Sequence, residues 1–219
     1  MKRLIIVFAV VMTVLAAKAQ GVTENFTVYK NFKPAVIHMA SGKNINNALT
    51  NIFLKNASLL YMKGSYAMEA NMESILGVDF DDHQFIKIDN MLACLLDTVG
   101  PNRLYCATVI DVEAYNQMLR NNINITNFSL FGSSMSDQMS YATVELTPED
   151  EQQMPLINHF YYLYNGEIIK VHERELSRIL PKSKKRIYKT IISMDGFRWV
   201  DRESLVKLLK AISADDEQQ

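Results

Sequence analysis

The chain has 219 residues, with 23 Lys and Arg against 24 Asp and Glu and a formal net charge of −1. Without surplus basic charge it lacks the electrostatic footprint of general nucleic-acid binding, so no nucleic-acid partner is expected. Its apolar content of 48%, with only eight Gly and five Pro, supplies a core and excludes a disordered chain.

The first residues are Met1-Lys2-Arg3, then an apolar run from Leu4 to Ala17, then Ala17-Lys18-Ala19. A basic start, an apolar core and a small-residue site in that order predict a secretory signal peptide over residues 1–19, cut after Ala19. The alternative is a transmembrane anchor, but crossing the hydrocarbon takes roughly 20 apolar residues and this run is shorter. No Cys stands at the cleavage point to carry a lipid, and no later run has spanning length. The product is therefore expected to be exported and not an integral membrane protein. Losing Lys2, Arg3 and Lys18 leaves 20 bases against 24 acids, a net charge of −4.

Residues 20–32 read as a polar lead-in. A first strand is predicted over Ala35–Ala40, turned at Ser41-Gly42-Lys43. Asn44–Phe53 has apolar residues at helical spacing, but four Asn and a Thr make it a poor helix, so strand and turn are expected. Leu59–Lys63 and Tyr66–Ala70 read as a hairpin about Gly64. From Leu76 to Val112 four apolar runs (Val78–Phe80, Phe85–Ile88, Met91–Leu96, Leu104–Val112) are separated by Asp-Asp-His, Asp-Asn and Gly-Pro-Asn turn formers. Such punctuation predicts an antiparallel meander, with Met91–Leu96 as a central strand covered on both faces. Up to eight short strands fit into residues 35–111, at the spacing of a barrel or sandwich.

Asp111 is placed to cap a short helix reaching Arg120, with Tyr115, Met118 and Leu119 on its inner face. Residues 121–138 read as a long surface loop, 141–146 as a return strand, and Thr147-Pro148-Glu149-Asp150 as a helix start closed by Pro155. Phe160–Tyr164, Asn165-Gly166 and Glu167–Val171 form a hairpin signature, because Asn-Gly suits a type I′ turn. Three short helices follow. The first carries Leu176, Ile179 and Leu180 and ends at Pro181. The second turns Ile187, Tyr188, Ile191 and Ile192 inward, puts Lys184, Lys185 and Lys189 in water, and uses Gly196 as a left-handed C-cap. The third is capped by Asp201, stapled by Val200 and Leu205, and buries Leu205, Leu208, Leu209 and Ile212.

The expected class is therefore α+β: an antiparallel β-rich N-terminal domain, barrel- or sandwich-like, followed by a β-hairpin and three short C-terminal helices. The expected units are residues 20–146, β-rich with a short helix and a long loop, and residues 147–219, the hairpin plus helical part.

The runs Phe160–Lys170, Glu175–Arg186 and Asp201–Leu209 resemble the C-terminal part of uncharacterised exported proteins of Gram-negative gut bacteria. The resemblance implies a bacterial envelope location, in the periplasm or at the cell surface, and carries no activity or functional residue.

Several residue groups are candidate sites. Cys94 and Cys106 stand six residues either side of Gly100. A five-residue loop over Thr98–Asn102 would set them opposite each other, as a disulfide or as two buried thiols. Asp79, Asp81, Asp82 and Asp89 offer oxygens to a cation such as Ca²⁺, but no EF-hand spacing is present and a solvated strand face explains them. His172-Glu173-Arg174-Glu175-Leu176 starts like a zinc-protease motif and has Leu where the second His is needed, so it reads as a helix start. The remaining histidines, His38, His83 and His159, are scattered. No metal and no cofactor is expected.

Lys182, Lys184, Lys185, Arg186 and Lys189 form a candidate surface for an anionic partner, against the plainer reading of a wet helix face. Asn25, Asn56, Asn124 and Asn127 head Asn-x-Ser/Thr triplets. Thr98, in Asp97-Thr98-Val99, is a candidate O-glycosylation site. No nucleophile elbow, phosphate loop or dinucleotide fingerprint occurs, so no catalytic residue is assigned. The leading expectation is a non-enzymatic envelope protein that contacts a protein or glycan, with exposed Tyr and Phe, including those of Phe160–Tyr164, as contact area. The alternative is an envelope hydrolase of peptides or glycans, built on carboxylates from distant parts of the chain.

Overall fold

The structure, a computed structural model, describes residues 22–23, 25–121 and 153–214. The expected leader, loop, return strand and Thr147 helix start, with Asn124 and Asn127, lie outside the described residues. The chain is α+β. Its strands are β1 (Val22–Thr23), β2 (Lys33–Met39), β3 (Asn44–Phe53), β4 (Ser58–Lys63), β5 (Tyr66–Glu69), β6 (Ile75–Asp79), β7 (Gln84–Ile88), β8 (Met91–Val99), β9 (Asn102–Ile110), β10 (Met154–Tyr164) and β11 (Glu167–Lys170). Its helices are α1 (Val112–Asn121), α2 (Glu173–Ile179), α3 (Lys185–Ile192) and α4 (Arg202–Ser213).

Ten strands lie on one antiparallel path in the order β1-β10-β9-β8-β7-β6-β2-β3-β4-β5, and β11 pairs with β10 off its end. The ladder is open, with β1 and β5 at its edges, but it curls. The β3–β4 connection comes back to the middle of the sheet, where the Leu92 amide donates to the Ala57 carbonyl at 2.8 Å and the Ile110 amide donates to the Leu54 carbonyl at 2.7 Å. Curvature of the expected kind is thus present, without hydrogen-bonded closure of the ladder among the described residues. It brings Ala57 against Ala93, Tyr105, Ala107 and Tyr161 on one face. Leu92 is buried on the other face, so the start of β8 is covered on both sides.

The eight strands expected in the N-terminal part are β2 to β9. β3 is strand throughout, and the helical spacing within it reflects a bulge. Asn47 has φ 58°, and the β2–β3 register jumps between Ala35 and Ile37. Gly77 in β6 is required by close approach, since a Cβ there would lie 2.5 Å from the Phe85 carbonyl oxygen of β7. The lead-in is packed rather than loose. Phe26 and Thr27 are buried, and the Leu54 amide donates to the Phe26 carbonyl at 2.7 Å.

Several local expectations need correction. Pro155 sits in β10 opposite Val22, at the sheet margin, and the helix it was expected to close lies outside the described residues. Asp111 caps α1, its Oδ1 accepting from the Ala114 amide at 2.9 Å, and Tyr115 is buried, but Met118 is exposed. Val200 is 72% exposed and makes no staple with buried Leu205. Gly196, φ 86°, lies beyond the α3 C-cap Ser193 and belongs to the turn in which the Phe197 amide donates to the Met194 carbonyl. The Asn165-Gly166 turn is as expected, with φ 49° and 83° and Tyr164 opposite Glu167.

β10 enters the sheet beside β9 over eight paired positions, so the hairpin continues the N-terminal ladder. The helices then cover part of its face. Leu176, Leu180, Tyr188, Ile191, Leu205, Leu208, Leu209 and Ile212 form one cluster with Leu104, Cys106, Phe160, Tyr162 and Tyr164. The Tyr162 hydroxyl donates to the Leu205 carbonyl at 2.7 Å inside it, which satisfies the one polar atom of a fully buried ring.

Candidate functional site: an apolar cleft between two cores

Two hydrophobic cores share one face of the sheet. One is the helical cluster over β9 and β10. The other gathers Ala35, Ile37, Ile52, Leu59, Ile75, Val78, Phe80, Phe85 and Leu92 where the sheet curls over. The cleft lies between them, where neither layer reaches. Its floor is a row of directly paired residues across four strands: Phe85 on β7, Cys94 on β8, Cys106 on β9 and Phe160 on β10. Leu92, Leu96, Thr108 and Asn158 extend the floor; Val28, Tyr29, Ile52 and His83 make one side, and Val200 and Arg202 the other. The cavity holds about 370 Å³.

The cysteines are opposite each other, as expected, but by a different route. The turn is tighter than five residues, with Val99 paired to Asn102, and a bulge at Leu96 restores the Cys94–Cys106 pairing. Both are free thiols. Directly opposed strand positions separate Cβ atoms by about 4.5–5.5 Å, wider than the roughly 3.8 Å of a disulfide. Burial pushes both thiols up to about 11; for Cys94 the charge of Asp82 adds to this and that of Arg202 opposes it. At pH 8 on the order of one such thiol in a thousand is then ionised. Alkylation by iodoacetamide at that pH is accordingly expected to be slow in the folded protein and to reach both cysteines quickly in 6 M guanidinium. Fast labelling of both in the native state would contradict this burial.

The rim has three polar places. At the first, the Tyr29 hydroxyl donates to Asp82 Oδ1 at 3.0 Å and lies 3.3 Å from His83 Nδ1. Lys33 Nζ lies 2.9 Å from Asp82 and 3.2 Å from Asp81, and 4.4 Å over the Tyr29 ring. Asp82 is held well below the usual carboxylate range, chiefly by the Lys33 hydrogen bond. The Tyr29 phenol is raised, by burial first and then by Asp82. At the second, the Thr108 hydroxyl donates to Asn158 Oδ1 at 2.7 Å. At the third, Arg202 Nη2 donates to the Leu96 carbonyl at 2.5 Å and lies 3.8 Å from Asp97. The bulge explains that contact, because a bulged residue loses its ladder partner and Leu96 finds one in Arg202.

The other candidates are dispersed. Asp79 pairs with His38 at 2.8 Å, while Asp89 sits with φ 54° in the β7–β8 turn, so the four aspartates do not converge. Among the described residues no group of three or more His, Cys, Asp or Glu is placed to hold a metal. His172 is the N-cap of α2, its Nδ1 accepting from the Arg174 amide at 3.2 Å, and His159 is half-buried on β10. Thr98 is exposed at the end of β8. Asn25 is exposed, and Asn56 donates to Glu69 at 2.8 Å.

The basic patch is smaller than the sequence suggests. Lys182, Arg186 and Lys189 are exposed and Lys185 is half-buried, but Lys184 is only 4% exposed. The inward row of α3 is Lys184, Tyr188 and Ile191, at i, i+4 and i+7, which leaves Ile187 on the surface at 36%. The aromatics Phe160, Tyr161, Tyr162 and Tyr164 are all buried, and of them only Phe160 lines the cleft. Sequence reasoning did not single out Tyr29, Phe85 or Arg202 and set His83 aside as scattered, because nothing in their local spacing says that they meet.

Fold and site define an α+β protein built on an open, curled sheet with an apolar cleft on one face. Comparison with protein-family models, curated proteins and solved structures finds no match to this chain. Among the described residues no helix is long and apolar enough to cross a membrane.

Proposed function

We propose that this is a non-enzymatic binding protein of the bacterial cell envelope, and that the cleft over Cys94 and Cys106 takes a small, largely apolar ligand. The leader of residues 1–19 and the resemblance of the C-terminal runs to exported proteins support the location. The observation that carries the binding role is the cleft's lining. It has the volume of a small-molecule site, a floor of Phe85, Leu92, Cys94, Leu96, Cys106 and Phe160, a few polar groups at the rim, and no carboxylate.

A hydrolase of glycans would need two carboxylates converging on the cleft. Beside the rim, Asp81 and Asp82 are both tied to Lys33, and Asp97 stands by Arg202. A glycan ligand would also leave hydroxyls unpaired against Phe85, Leu92 and Phe160, which is costly.

The test is a titration of the mature protein with N-phenyl-1-naphthylamine, an uncharged fluorophore that brightens in apolar surroundings. Saturable binding at one per chain is expected, with a further slowing of Cys94 alkylation in the loaded protein. A signal that never saturates, or one that leaves Cys94 labelling unchanged, would remove the cleft as the binding site.

A further inference from the structure

Resting on the reading of the cleft as a ligand site, we propose that the ligand is a single-chain amphiphile with an anionic head, a fatty-acid carboxylate. Its chain lies along the floor row and its head is held at Arg202.

Positive charge meets the cleft's rim at Lys33 and at Arg202. Of the three polar places on the rim, two are closed. The Lys33 ammonium is matched by Asp81 and Asp82, and the Tyr29 hydroxyl is committed to Asp82. Thr108 and Asn158 bond to each other and carry no charge. Arg202 is different. Its guanidinium has five N–H donors; Nη2 is engaged with Leu96 and stands 3.8 Å from Asp97, and the side chain is 57% exposed.

A second hollow, of about 520 Å³, begins where the cleft ends and shares Arg202 with it. Asp97, Glu203, Val206, Lys207 and Lys210 line the rest. Helical spacing produces this surface, since 203, 207 and 210 fall at i, i+4 and i+7 and 202, 206 and 210 at i, i+4 and i+8 on α4. Three cations face two carboxylates there. Asp97 is partly used by its own chain, its Oδ1 accepting from the Thr98 amide at 2.9 Å. The two hollows thus meet at Arg202, one apolar at the floor row and the other lined by three cations and two carboxylates.

Size agrees with the chemistry. At roughly 30 Å³ for each water-sized group, a cavity of 370 Å³ accommodates on the order of a dozen methylenes. A chain of that length fills the floor and delivers its carboxylate to the guanidinium, where planar N–H pairs match a carboxylate's two oxygens.

The experiment displaces N-phenyl-1-naphthylamine from the mature protein with dodecanoate, dodecanol or dodecyltrimethylammonium, each below its micelle concentration. Dodecanoate is expected to displace the probe at about a five-fold lower concentration than dodecanol, a modest preference because Arg202 is partly screened by solvent. The cationic amphiphile is expected to be the weakest. The ratio of dodecanol to dodecanoate midpoints should fall to about one in Arg202→Gln and should shrink as salt rises. Because Arg202 also supports Leu96, a second variant, Lys207→Gln with Lys210→Gln, removes charge while leaving that contact intact, and it should lower the ratio part of the way. Equal midpoints for acid and alcohol in the wild type, or a ratio unchanged in both variants, would overturn the anionic head while leaving an apolar site in place. Failure of the naphthylamine to bind at all would remove both readings.

Discussion

Leu205→Ala is expected to destabilise the protein by about 2–5 kcal/mol. Leu205 is fully buried one turn into α4, among Leu176, Leu180, Tyr162, Leu208 and Leu209. Removing its branched end costs the transfer of those carbons from water and leaves a cavity that cannot collapse. The sheet on one side is held by its ladder, and α3 and α4 on the other are fixed to each other. The Leu205 carbonyl also accepts the Tyr162 hydroxyl, so a shift of the helix to fill the gap would strain a buried hydrogen bond. Thermal unfolding followed by circular dichroism should show the midpoint falling by roughly 5–20 °C for a chain of this size. A loss below about 1 kcal/mol would mean that α4 is not part of the sheet's core.

The second large effect is on binding. Cys94→Trp is expected to weaken N-phenyl-1-naphthylamine binding by more than about ten-fold while leaving the protein folded, because a bulky side chain fills the pocket volume a ligand of this size needs. Cys94 is half-buried and opens to the cleft at the centre of the floor row, between Phe85 and Cys106. A Trp there suits a strand, has room above the sheet that a closed core would not give, and occupies the space the ligand needs. The circular dichroism spectrum should be retained and the fluorescence titration flattened. A folded variant that binds as tightly as the wild type would move the ligand site elsewhere.

How far each feature was legible depends on how local its cause is. The Asn165-Gly166 turn, the Asp111 and Asp201 caps and the α4 stripe of Leu205, Leu208, Leu209 and Ile212 were readable because each arises within one turn or one helix. The Cys94–Cys106 pairing was readable in outcome but not in mechanism. A symmetric count about Gly100 cannot distinguish a long loop from a tight turn with a bulge. Only the latter produces an unpaired Leu96 carbonyl for Arg202 to find.

The helix α3 shows the converse. A lysine at position 184 looks like water-facing charge, yet the 3.6-residue period set by Tyr188 and Ile191 carries it inward. The row facing inward is decided by where the neighbouring α4 stands, not by the residue's own polarity.

By itself, the sequence determined the class of the fold, the number and placement of the N-terminal strands, the C-terminal hairpin and the three helices, because alternation, turn chemistry and capping act over a few residues. The tertiary structure alone decided that the sheet stays open and curls, that the segment from Met154 enters it beside β9, and that two cores leave a gap over Cys94 and Cys106. A cleft is a place where packing stops, and its lining comes from residues as far apart in the chain as Tyr29 and Arg202. No pattern in either neighbourhood can encode their meeting, since it is the sum of every strand register and helix position between them.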